Sequence, residues 1–581
     1  MKKKIIAIIV AIVLIIPVSR GWYEFLLDNF FDAKLASSTQ LRFRKISDTE
    51  VEVVGYISDL DEKITIPEKI RIGLHIYKVT RIGRSAFKEC ISLTSINIPD
   101  GVTSIADYAF YGCSSLTSIN IPEGVTSIAD YAFENCSSLE PKLLVYDKGT
   151  KCYGWVGNKA KCTDVVIPEG VTSIGEWAFW RCSSLTSINI PKGVTSIGRS
   201  AFDGCSSLVS IEIPDGVTSI GEEAFSGCIS LTSIDIPEGV TSIGEKAFSG
   251  CISLTSINIP KGVTSIGYAA FRECGSLTNI NIPRGVKNIG ASAFSGCSNL
   301  TSINIPDGVT SIGEEAFSGC KKLTSINIPE SVASIGYAAF RECGSLTSME
   351  IPDGVTSIGH SAFSGCENLT NINIPEGVTS IGEYAFWGCR SLTSINIPEG
   401  VTSIGEEAFS GCISLTSIKI PKGVTSIGAS AFGECNNLGP KLLVYDKGTK
   451  CYGWVGNKVK CTNIVIPEGV TSIGYKAFYK YYWLTSIKIP KSVTSIGASA
   501  FRQCIRLTSI KIPEGVTSIG ESAFKGCGSL TSIKIPKSVT SIGEDAFWGC
   551  NNLEIVIDNS ENNVKVEESA FKGCKSVKWL K

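Results

Sequence analysis

The chain has 581 residues, of which 43% are hydrophobic, so it is long enough to bury a continuous apolar core. Its 54 basic and 55 acidic residues leave a formal net charge of −1 at pH 7, which excludes attraction to nucleic acid or lipid through bulk charge. The two histidines, His75 and His360, are interpreted as surface residues rather than as catalytic or metal-binding groups.

The first 38 residues have the pattern of a targeting segment. Lysines 2–4 precede an apolar stretch over residues 5–18, and this order is typical of an export signal. The apolar stretch is short for a helix that spans a bilayer. We assign residues 1–38 to an export signal or N-terminal membrane anchor, with cleavage left open, and expect membrane attachment only through residues 5–18. A buried N-terminal helix is the alternative.

Residues 39–82 depart from the pattern that fills the rest of the chain. Two alternating stretches, LRFRKIS and TEVEVVGYI, flank Ser47 and Asp48 and predict a β-hairpin. Residues 79–83 (VTRIG) already match the VTSIG of later segments. Because a stack of strands needs its first open edge covered, we interpret residues 39–82 as an N-terminal cap.

A 23-residue unit recurs from residue 83 onwards, and residues 392–414, LTSINIPEGVTSIGEEAFSGCIS, represent it. Its first seven residues alternate apolar and polar side chains, which predicts a strand with one buried face that ends at the proline. The following VTSIG indicates a second short strand. The stretch EEAFSGC predicts one helical or 3-10 turn whose Ala, Phe and Cys face inward.

The period itself predicts the fold class. Repeats of roughly 20–29 residues with Leu and Ile at fixed offsets are typical of leucine-rich solenoids. We therefore predict a β-rich (α/β) solenoid over residues 83–581, a leucine-rich repeat rod of about 22 coils, each with a concave-face parallel strand, a second short strand and a turn. One coil buries too little apolar surface to fold alone, so the array is expected to be stable only collectively.

Two nearly identical segments interrupt the array, at about residues 140–163 and 439–462. Each replaces one coil without disturbing the repeat register, and the two lie 299 residues apart, which is thirteen periods. Within each segment two cysteines lie ten residues apart in strand-like sequence. In an oxidising compartment they could form the disulfides Cys152–Cys162 and Cys451–Cys461, with four more buried thiols as the alternative.

The other nineteen cysteines occupy one position of the repeat. Such a column is expected to face the core, where a free cysteine acts as a small hydrophobic residue. Disulfides between adjacent coils are a second interpretation. The clustered CxxC-type spacing of zinc sites is absent, so we expect no metal site and no cofactor.

One position of the first strand points out of the predicted sheet and carries asparagine in most early coils and lysine in late ones. It could offer a long polar face to an extended partner. Alternatively, the asparagines form a hydrogen-bonded ladder that only solubilises the sheet, and the lysines deter edge pairing. The candidate binding residues at this position are Asn258, Asn281, Asn304, Asn327, Lys419, Lys488, Lys511 and Lys534.

Aromatic residues recur in the position after the repeat phenylalanine, as at Trp387 and Tyr479. A dense aromatic group lies beside the second interruption, where Tyr481 replaces the repeat cysteine. Exposed Tyr and Trp are favoured at protein interfaces, so Tyr479, Tyr482 and Trp483 are further candidate binding residues. Packing against the interruption is the alternative interpretation.

The sequence contains no recognisable catalytic constellation. Serines and threonines recur without a matching column of histidines, and the repeated carboxylates lie on a turn without a converging partner. The glycines mark turns rather than a phosphate-binding loop. We therefore expect the protein not to be an enzyme.

The pattern LTSIxIPxGVTSIGxxAFxGC, as in residues 392–412, resembles the BspA-like leucine-rich repeat family over about residues 79–574. The cap and the TKCYGWVG interruptions also resemble features of that family. The resemblance implies a curved right-handed solenoid that is secreted or on a cell surface. It further implies an adhesin for partner cells or for extracellular-matrix proteins such as fibronectin and fibrinogen, without shared catalytic residues.

These observations together predict a cell-surface or secreted protein that binds other extracellular proteins and not nucleic acid. A passive surface coat or antigenic repeat array is one alternative, and an intracellular protein-interaction scaffold is another. The ligand, the oligomeric state and a bacterial or protist origin stay open at the level of the sequence.

Overall fold

The structure is a computed structural model that describes residues 34–35, 40–57 and 61–580. The predicted export signal or anchor at residues 5–18 lies outside this part of the chain. Among the described residues, none belongs to a helix with the length and apolarity that crossing a membrane requires. The chain divides into two compact units, residues 1–239 and 240–581.

Each regular coil wraps two short strands and a turn segment around its own apolar side chains. In the coil at residues 392–414 the polar Thr393, Ser394 and Asn396 are exposed. The buried side chains of this coil are Leu392, Ile395, Ile397, Val401, Ile404, Ala408, Phe409 and Cys412. The structure confirms the predicted solenoid of about 22 coils with stacked parallel strands.

The turn segment is tighter than the helical turn that its composition predicts. In the same coil Glu407 has a φ of 50° and Gly411 a φ of 77°, and these left-handed values cannot continue a right-handed helix. The Ser410 amide donates to the Glu407 carbonyl at 3.0 Å, which closes a single tight turn. Helical structure in the described residues is limited to 3-10 segments, at Lys159–Lys161, Lys458–Lys460 and Glu561–Asn563.

Hydrogen bonds outside the strands also join consecutive coils. Turn amides donate to the following coil, as from Phe294 N–H to the Ala316 carbonyl at 2.8 Å. Threonine hydroxyls donate to the preceding coil, as from Thr301 to the Thr278 carbonyl at 3.1 Å. Because each coil satisfies polar groups of its neighbours, stability is shared along the stack.

Phenylalanine and cysteine side chains form files through the core of each unit. The rings of Phe294 and Phe317 stack with centroids 5.5 Å apart and planes 4° apart. The Cys297 thiol donates to the Phe271 carbonyl of the preceding coil at 3.1 Å, and this bond recurs along the file. Every repeat cysteine is buried except Cys574, which is half-buried. The inward-facing cysteine column is therefore confirmed.

The first unit begins with the cap. Leu41–Lys45 and Glu50–Tyr56 pair antiparallel around the predicted turn, and Glu50–Tyr56 then pairs in parallel with His75–Ile82. Its first-strand file comprises Lys63–Thr65, Ser95–Asn97, Ser118–Ile119, Asp164–Val166, Ser187–Asn189 and Ser233–Asp235. Its second-strand file comprises His75–Ile82, Ser104–Ile105, Ser127–Ile128, Ser173–Ile174, Ser196–Ile197 and Ser219–Ile220. The remaining strands are Lys34–Leu35, Leu41–Lys45, Glu50–Tyr56, Lys69–Ile72, Lys142–Tyr146 and Lys151–Val156.

The second unit repeats this arrangement without a cap hairpin. Its first-strand file comprises Ser256–Asn258, Asn279–Asn281, Ser302–Asn304, Ser325–Asn327, Ser348–Glu350, Asn371–Asn373, Ser394–Ile395, Ser417–Ile418, Asn463–Val465, Ser486–Lys488, Ser509–Ile510, Ser532–Ile535, Glu554–Ile557 and Ser576–Trp579. Its second-strand file comprises Ser242–Ile243, Ser265–Ile266, Asn288–Ile289, Ser311–Ile312, Ser334–Ile335, Ser357–Ile358, Ser380–Ile381, Ser403–Ile404, Ser426–Ile427, Ser472–Ile473, Ser495–Ile496, Ser518–Ile519, Ser541–Ile542 and Lys565–Val566. Lys441–Tyr445 and Lys450–Val455 belong to its interruption.

Each interruption is an antiparallel hairpin that takes the place of one coil. In the first, Lys142–Tyr146 pairs with Lys151–Val156, and the second strand of the hairpin continues the ladder in parallel. The second interruption has the same pairing between Lys441–Tyr445 and Lys450–Val455. The hairpins therefore lack the turn segment that regular coils contribute.

The four interruption cysteines are buried free thiols rather than the predicted disulfides Cys152–Cys162 and Cys451–Cys461. The members of a pair replace different apolar residues of the coil. Cys152 is in register with Ile174 of the second-strand file, whereas Cys162 follows a 3-10 segment and precedes the first strand. Burial raises the pKa of the Cys152 and Cys451 thiols to about 12, which favours their protonated form.

We expect all 23 cysteines to titrate as free thiols when the protein is unfolded without reductant. The folded protein is expected to react slowly, because burial keeps the core thiols protonated and out of reach of the reagent. The measurement is a colorimetric thiol count in native buffer and in guanidinium. A count four thiols short after unfolding would instead support the two hairpin disulfides.

Candidate functional site

Three of the four predicted lysines lie together on one sheet of the second unit. Lys488 and Lys534 lie on the strands Ser486–Lys488 and Ser532–Ile535, and Lys511 takes the equivalent position directly after the parallel strand between them, Ser509–Ile510. Neighbouring strands are about 4.8 Å apart, so the three side chains form a row. All three are exposed. We call Lys488, Lys511 and Lys534 the lysine strip.

The structure separates Lys419 from the lysine strip. Lys419 follows the strand Ser417–Ile418, which belongs to a different sheet because the second interruption comes before the next strand of that file. Its Nζ lies 3.0 Å from Glu399 Oε1. The predicted run of four lysines is therefore corrected to three adjacent lysines and one that is ion-paired elsewhere.

The members of the lysine strip differ in their charge partners. Lys534 Nζ lies 3.2 Å from Asp558 Oδ2. Within the described part of the chain, Lys488 and Lys511 form no ion pair. Lys511 and Lys534 also line a groove with Pro536. The two ammonium groups without a carboxylate partner are the ones most available to a partner molecule.

The asparagine candidates form a second exposed row. Asn281, Asn304 and Asn327 are in register on three parallel strands, and Asn258 has the same position on the strand Ser256–Asn258. Their side chains form no hydrogen bonds with one another in the described residues, so the amide ladder considered above is not formed. The row is uncharged and solvated.

The structure divides the aromatic group beside the second interruption. Tyr482 and Trp483 are 42% and 40% exposed, and the Arg506 guanidinium carbon lies 4.1 Å from the centroid of the Trp483 ring. Tyr479 is half-buried in the turn segment. Tyr481 packs inward, and its hydroxyl donates to the Trp454 carbonyl at 2.5 Å. Packing against the interruption thus accounts for Tyr481, while Tyr479 borders a recess.

Each interruption leaves a recess on the turn face, because its hairpin has no turn segment there. The first recess has a volume of about 410 Å³. Its lysine, Lys159, is neutralised: Nζ lies 3.1 Å from Glu134 Oε1 and 2.8 Å from the Trp180 carbonyl. The Tyr131 ring packs against Trp177 in a tilted arrangement, with centroids 5.4 Å apart, which fills the neighbouring space.

The second recess has a volume of about 350 Å³ and a different lining. At the equivalent positions of the second copy, 299 residues later in the chain, Gly433 replaces Glu134 and Ser430 replaces Tyr131. Lys458, the counterpart of Lys159, consequently forms no ion pair among the described residues. The recess is lined by Trp387, Glu407, Ser410, Gly433, Glu434, Lys458, Tyr475, Lys476, Tyr479 and Lys480, among others.

Sequence reasoning singled out Tyr479 but missed Lys458 and the small residues beside it. Comparing the sequences that flank the two interruptions could have found them. The hairpins are identical, so differences between their neighbouring residues indicate that the two surfaces have different roles. Position by position, the residue after the repeat phenylalanine runs Trp387, Ser410, Gly433 in consecutive coils. Two consecutive small residues after a tryptophan predict an open space beside its ring.

The buried thiols are poor nucleophiles at neutral pH. Burial raises the pKa of Cys297 and Cys366 to about 12, so both stay protonated at pH 7. In the part of the chain that the structure describes, no group of three or more His, Cys, Asp or Glu side chains is placed to hold a metal ion. The functional groups exposed at the candidate sites are those of lysine, carboxylate and aromatic side chains.

Comparison with known proteins gives one matching sequence family, described as "BspA type Leucine rich repeat region (6 copies)". The matched segments are residues 63–144, 157–274, 218–345, 333–440 and 455–578. These cover most of the chain, and two of the gaps between them, residues 145–156 and 441–454, hold most of each interruption hairpin. No curated protein matches the chain.

Several solved bacterial structures are similar to the chain. A leucine-rich repeat protein from Bacteroides ovatus is 26% identical, with a TM-score of 0.39, and the match covers 94% of this chain and 99% of that one. A leucine-rich cell surface protein from Faecalibacterium prausnitzii is 32% identical, with a TM-score of 0.34 and coverage of 69% and 96%. A leucine-rich repeat protein from Eubacterium ventriosum is 22% identical, with a TM-score of 0.36 and coverage of 67% and 97%.

Proposed function

Because the chain belongs to the BspA-type leucine-rich repeat family, we propose that it is a cell-surface or secreted protein that binds extracellular proteins through the exposed sheet of its second unit. The observation that carries the proposal is the lysine strip, in which Lys488 and Lys511 have no carboxylate partner among the residues that the structure describes. The Faecalibacterium relative is described as a cell surface protein, which supports the location. The charged and then apolar N-terminal segment supports export.

The proposed mechanism is electrostatic recognition by a rigid surface. Parallel strands fix the spacing of the lysines, so an acidic face of a partner meets a pre-ordered row of charges. The groove beside Lys511 and Lys534 gives room for a partner side chain. Binding of this kind requires no catalytic group, no cofactor and no metal ion.

We expect the double substitution Lys488→Gln/Lys511→Gln to weaken binding to immobilised fibronectin or fibrinogen by about tenfold, mainly through slower association. The measurement is surface plasmon resonance with the purified protein at low and physiological salt. Wild-type binding is expected to weaken with salt, and the double variant is expected to lose most of that dependence.

The matched control is Lys261→Gln/Lys287→Gln, which removes two exposed lysines of the same unit outside the strip. This variant is expected to bind like the wild type. Equal loss in both variants would mean that net charge rather than the strip matters. Failure of the wild-type protein to bind any extracellular protein would favour a passive surface array instead.

A further inference from the structure

The recess at the second interruption has features that the protein-binding proposal does not use. It lies on the turn segments, whereas the lysine strip lies on the first-strand sheet. Trp387 borders the recess with a side chain that is 46% exposed, and its ring has no aromatic or cationic neighbour among the described residues. The next two coils place Ser410 and Gly433 at the same position, which leaves the space beside this ring open.

Cationic groups surround the recess without being neutralised. Lys458, Lys476 and Lys480 all line it, and none of the three forms an ion pair with the described residues. Lys476 and Lys480 lie over aromatic rings, with Nζ 4.7 Å from the Tyr475 centroid and 5.1 Å from the Tyr479 centroid. These contacts orient the two ammonium groups at the rim, as cation–π pairs do.

Carboxylates are also present, and they narrow the class of ligand. Glu407 and Glu434 line the same recess without an ion pair in the described residues. A bare phosphate or sulfate ion could bind the lysines but would leave these two carboxylates without a hydrogen-bond donor. A ligand with hydroxyl groups and one negative charge satisfies both kinds of group. Its hydroxyls can donate hydrogen bonds to the carboxylates, and its anionic group can accept hydrogen bonds from the lysines.

We propose that this recess binds an acidic sugar residue, a pyranose ring that bears a carboxylate or sulfate group. The apolar C–H face of the ring would lie on Trp387, its anionic group on Lys458, and its hydroxyls against Glu407 and Glu434. A recess of about 350 Å³ has room for one or two such rings. The inference is independent of protein binding by the lysine strip.

The first recess provides the internal comparison. Its hairpin has nearly the same sequence, but Glu134 already neutralises Lys159 at 3.1 Å, as a bound anion would. Position 433 has lost this carboxylate and position 458 has kept the lysine. The second recess therefore keeps the lysine without the carboxylate that pairs with it in the first, while Glu434 and Glu407, which replace Asn135 and Tyr108, form no ion pair with the described residues.

The test is isothermal titration calorimetry of the full chain with D-glucuronate, with D-glucose and with a hyaluronan hexasaccharide. Glucuronate is expected to bind at least tenfold more tightly than glucose. Tighter binding of the hexasaccharide than of glucuronate would assign the source to a polysaccharide, and equal binding would assign it to a single sugar acid. Absence of glucuronate and hexasaccharide binding, or equal affinity for glucose, would overturn the proposal.

Substitutions locate the binding to this recess. Lys458→Gln and Trp387→Ala are each expected to reduce affinity at least tenfold, whereas Lys159→Gln at the first recess is expected to leave it unchanged. Gly433→Glu restores the carboxylate of the first recess and is expected to abolish binding. Since an added Cβ there lies 3.0 Å from Ser410 Oγ, circular dichroism must show that this variant folds. Unchanged affinity in Lys458→Gln and Trp387→Ala would rule the site out.

Discussion

The protein is expected to lose its stability steeply as the pH rises from about 9 towards 12. The cause is the cysteine file in the core of each unit. Burial raises the pKa of Cys297 and Cys366 from 9.0 to about 12, and it raises the pKa of Cys320 and Cys343 in the same direction. An unfolded chain would ionise these thiols near pH 9.

The sign of the effect follows from proton linkage. Between pH 9 and 12 the folded protein keeps its thiol protons while the unfolded chain loses them, so rising pH favours unfolding. The stabilising contribution is therefore complete below about pH 9 and declines as the pH approaches the raised pKa. Each such cysteine contributes a slope of about 1.4 kcal/mol per pH unit, so several in one cooperative segment add up to a large effect.

The measurement is the free energy of unfolding by urea at intervals between pH 7 and 11.5. Lysines and tyrosines also titrate in this range, so a variant is needed to isolate the thiols. The triple substitution Cys297→Ala/Cys320→Ala/Cys343→Ala removes three consecutive members of the file. Its stability is expected to start lower at pH 7 and to fall less steeply, by about 4 kcal/mol per pH unit. An unchanged slope would show that the thiols do not control the transition.

Gly154→Ala is expected to disrupt the first interruption hairpin, at a cost above about 3 kcal/mol. Gly154 has a φ of 120°, and an added Cβ would lie 1.9 Å from the Ala178 carbonyl oxygen. No side chain can be accommodated there, because the obstructing atom belongs to the backbone of the next coil. The same carbonyl accepts the Trp155 amide at 2.7 Å, so a shift also breaks the contact that attaches the hairpin to the coil.

The matched control is Gly149→Ala in the turn of the same hairpin. Gly149 has a φ of 81°, but no atom lies within 4 Å of an added Cβ, so only the left-handed strain of about 1–2 kcal/mol applies. Hydrogen exchange of residues 142–156, followed by mass spectrometry, measures the local effect directly. Equal exchange in the two variants would contradict the close approach of Gly154 to Ala178.

The fold was predictable because two features of the unit, its repeat length and its alternation of apolar and polar residues, predict the same solenoid coil. Every apolar position of LTSINIPEGVTSIGEEAFSGC is buried in the coil at residues 392–412, as the alternation indicates. The turn segment was less predictable, since EEAFSGC contains residues that also favour helices. Its left-handed Glu407 depends on amide bonds to the neighbouring coil, and such bonds between coils are not visible in one unit of sequence.

The candidate site was predictable in part, for a similar reason. The outward position of the lysines follows from strand alternation, and the structure places them there. Lys419 is separate from the other lysines because the second interruption lies between their strands. It also forms an ion pair with Glu399, twenty residues earlier, and the strand pattern does not predict that contact. Lys458 lacks an ion-pair partner among the described residues because position 433 holds glycine where the first copy has Glu134. The sequence of one repeat does not show that such a carboxylate is missing.

The preserved register of the interruptions has a consequence for how such a protein changes length. Since each coil contacts mainly its two neighbours, a whole period can be gained or lost by recombination, and the new junction re-forms contacts that already existed. A change of one residue can be absorbed in a loop, as it is between Cys550 and Cys574, where Phe547 and Phe571 still stack. A larger change that is not a multiple of the period would misalign the phenylalanine and cysteine files at the seam. Alleles that differ in size are therefore expected to differ by complete periods.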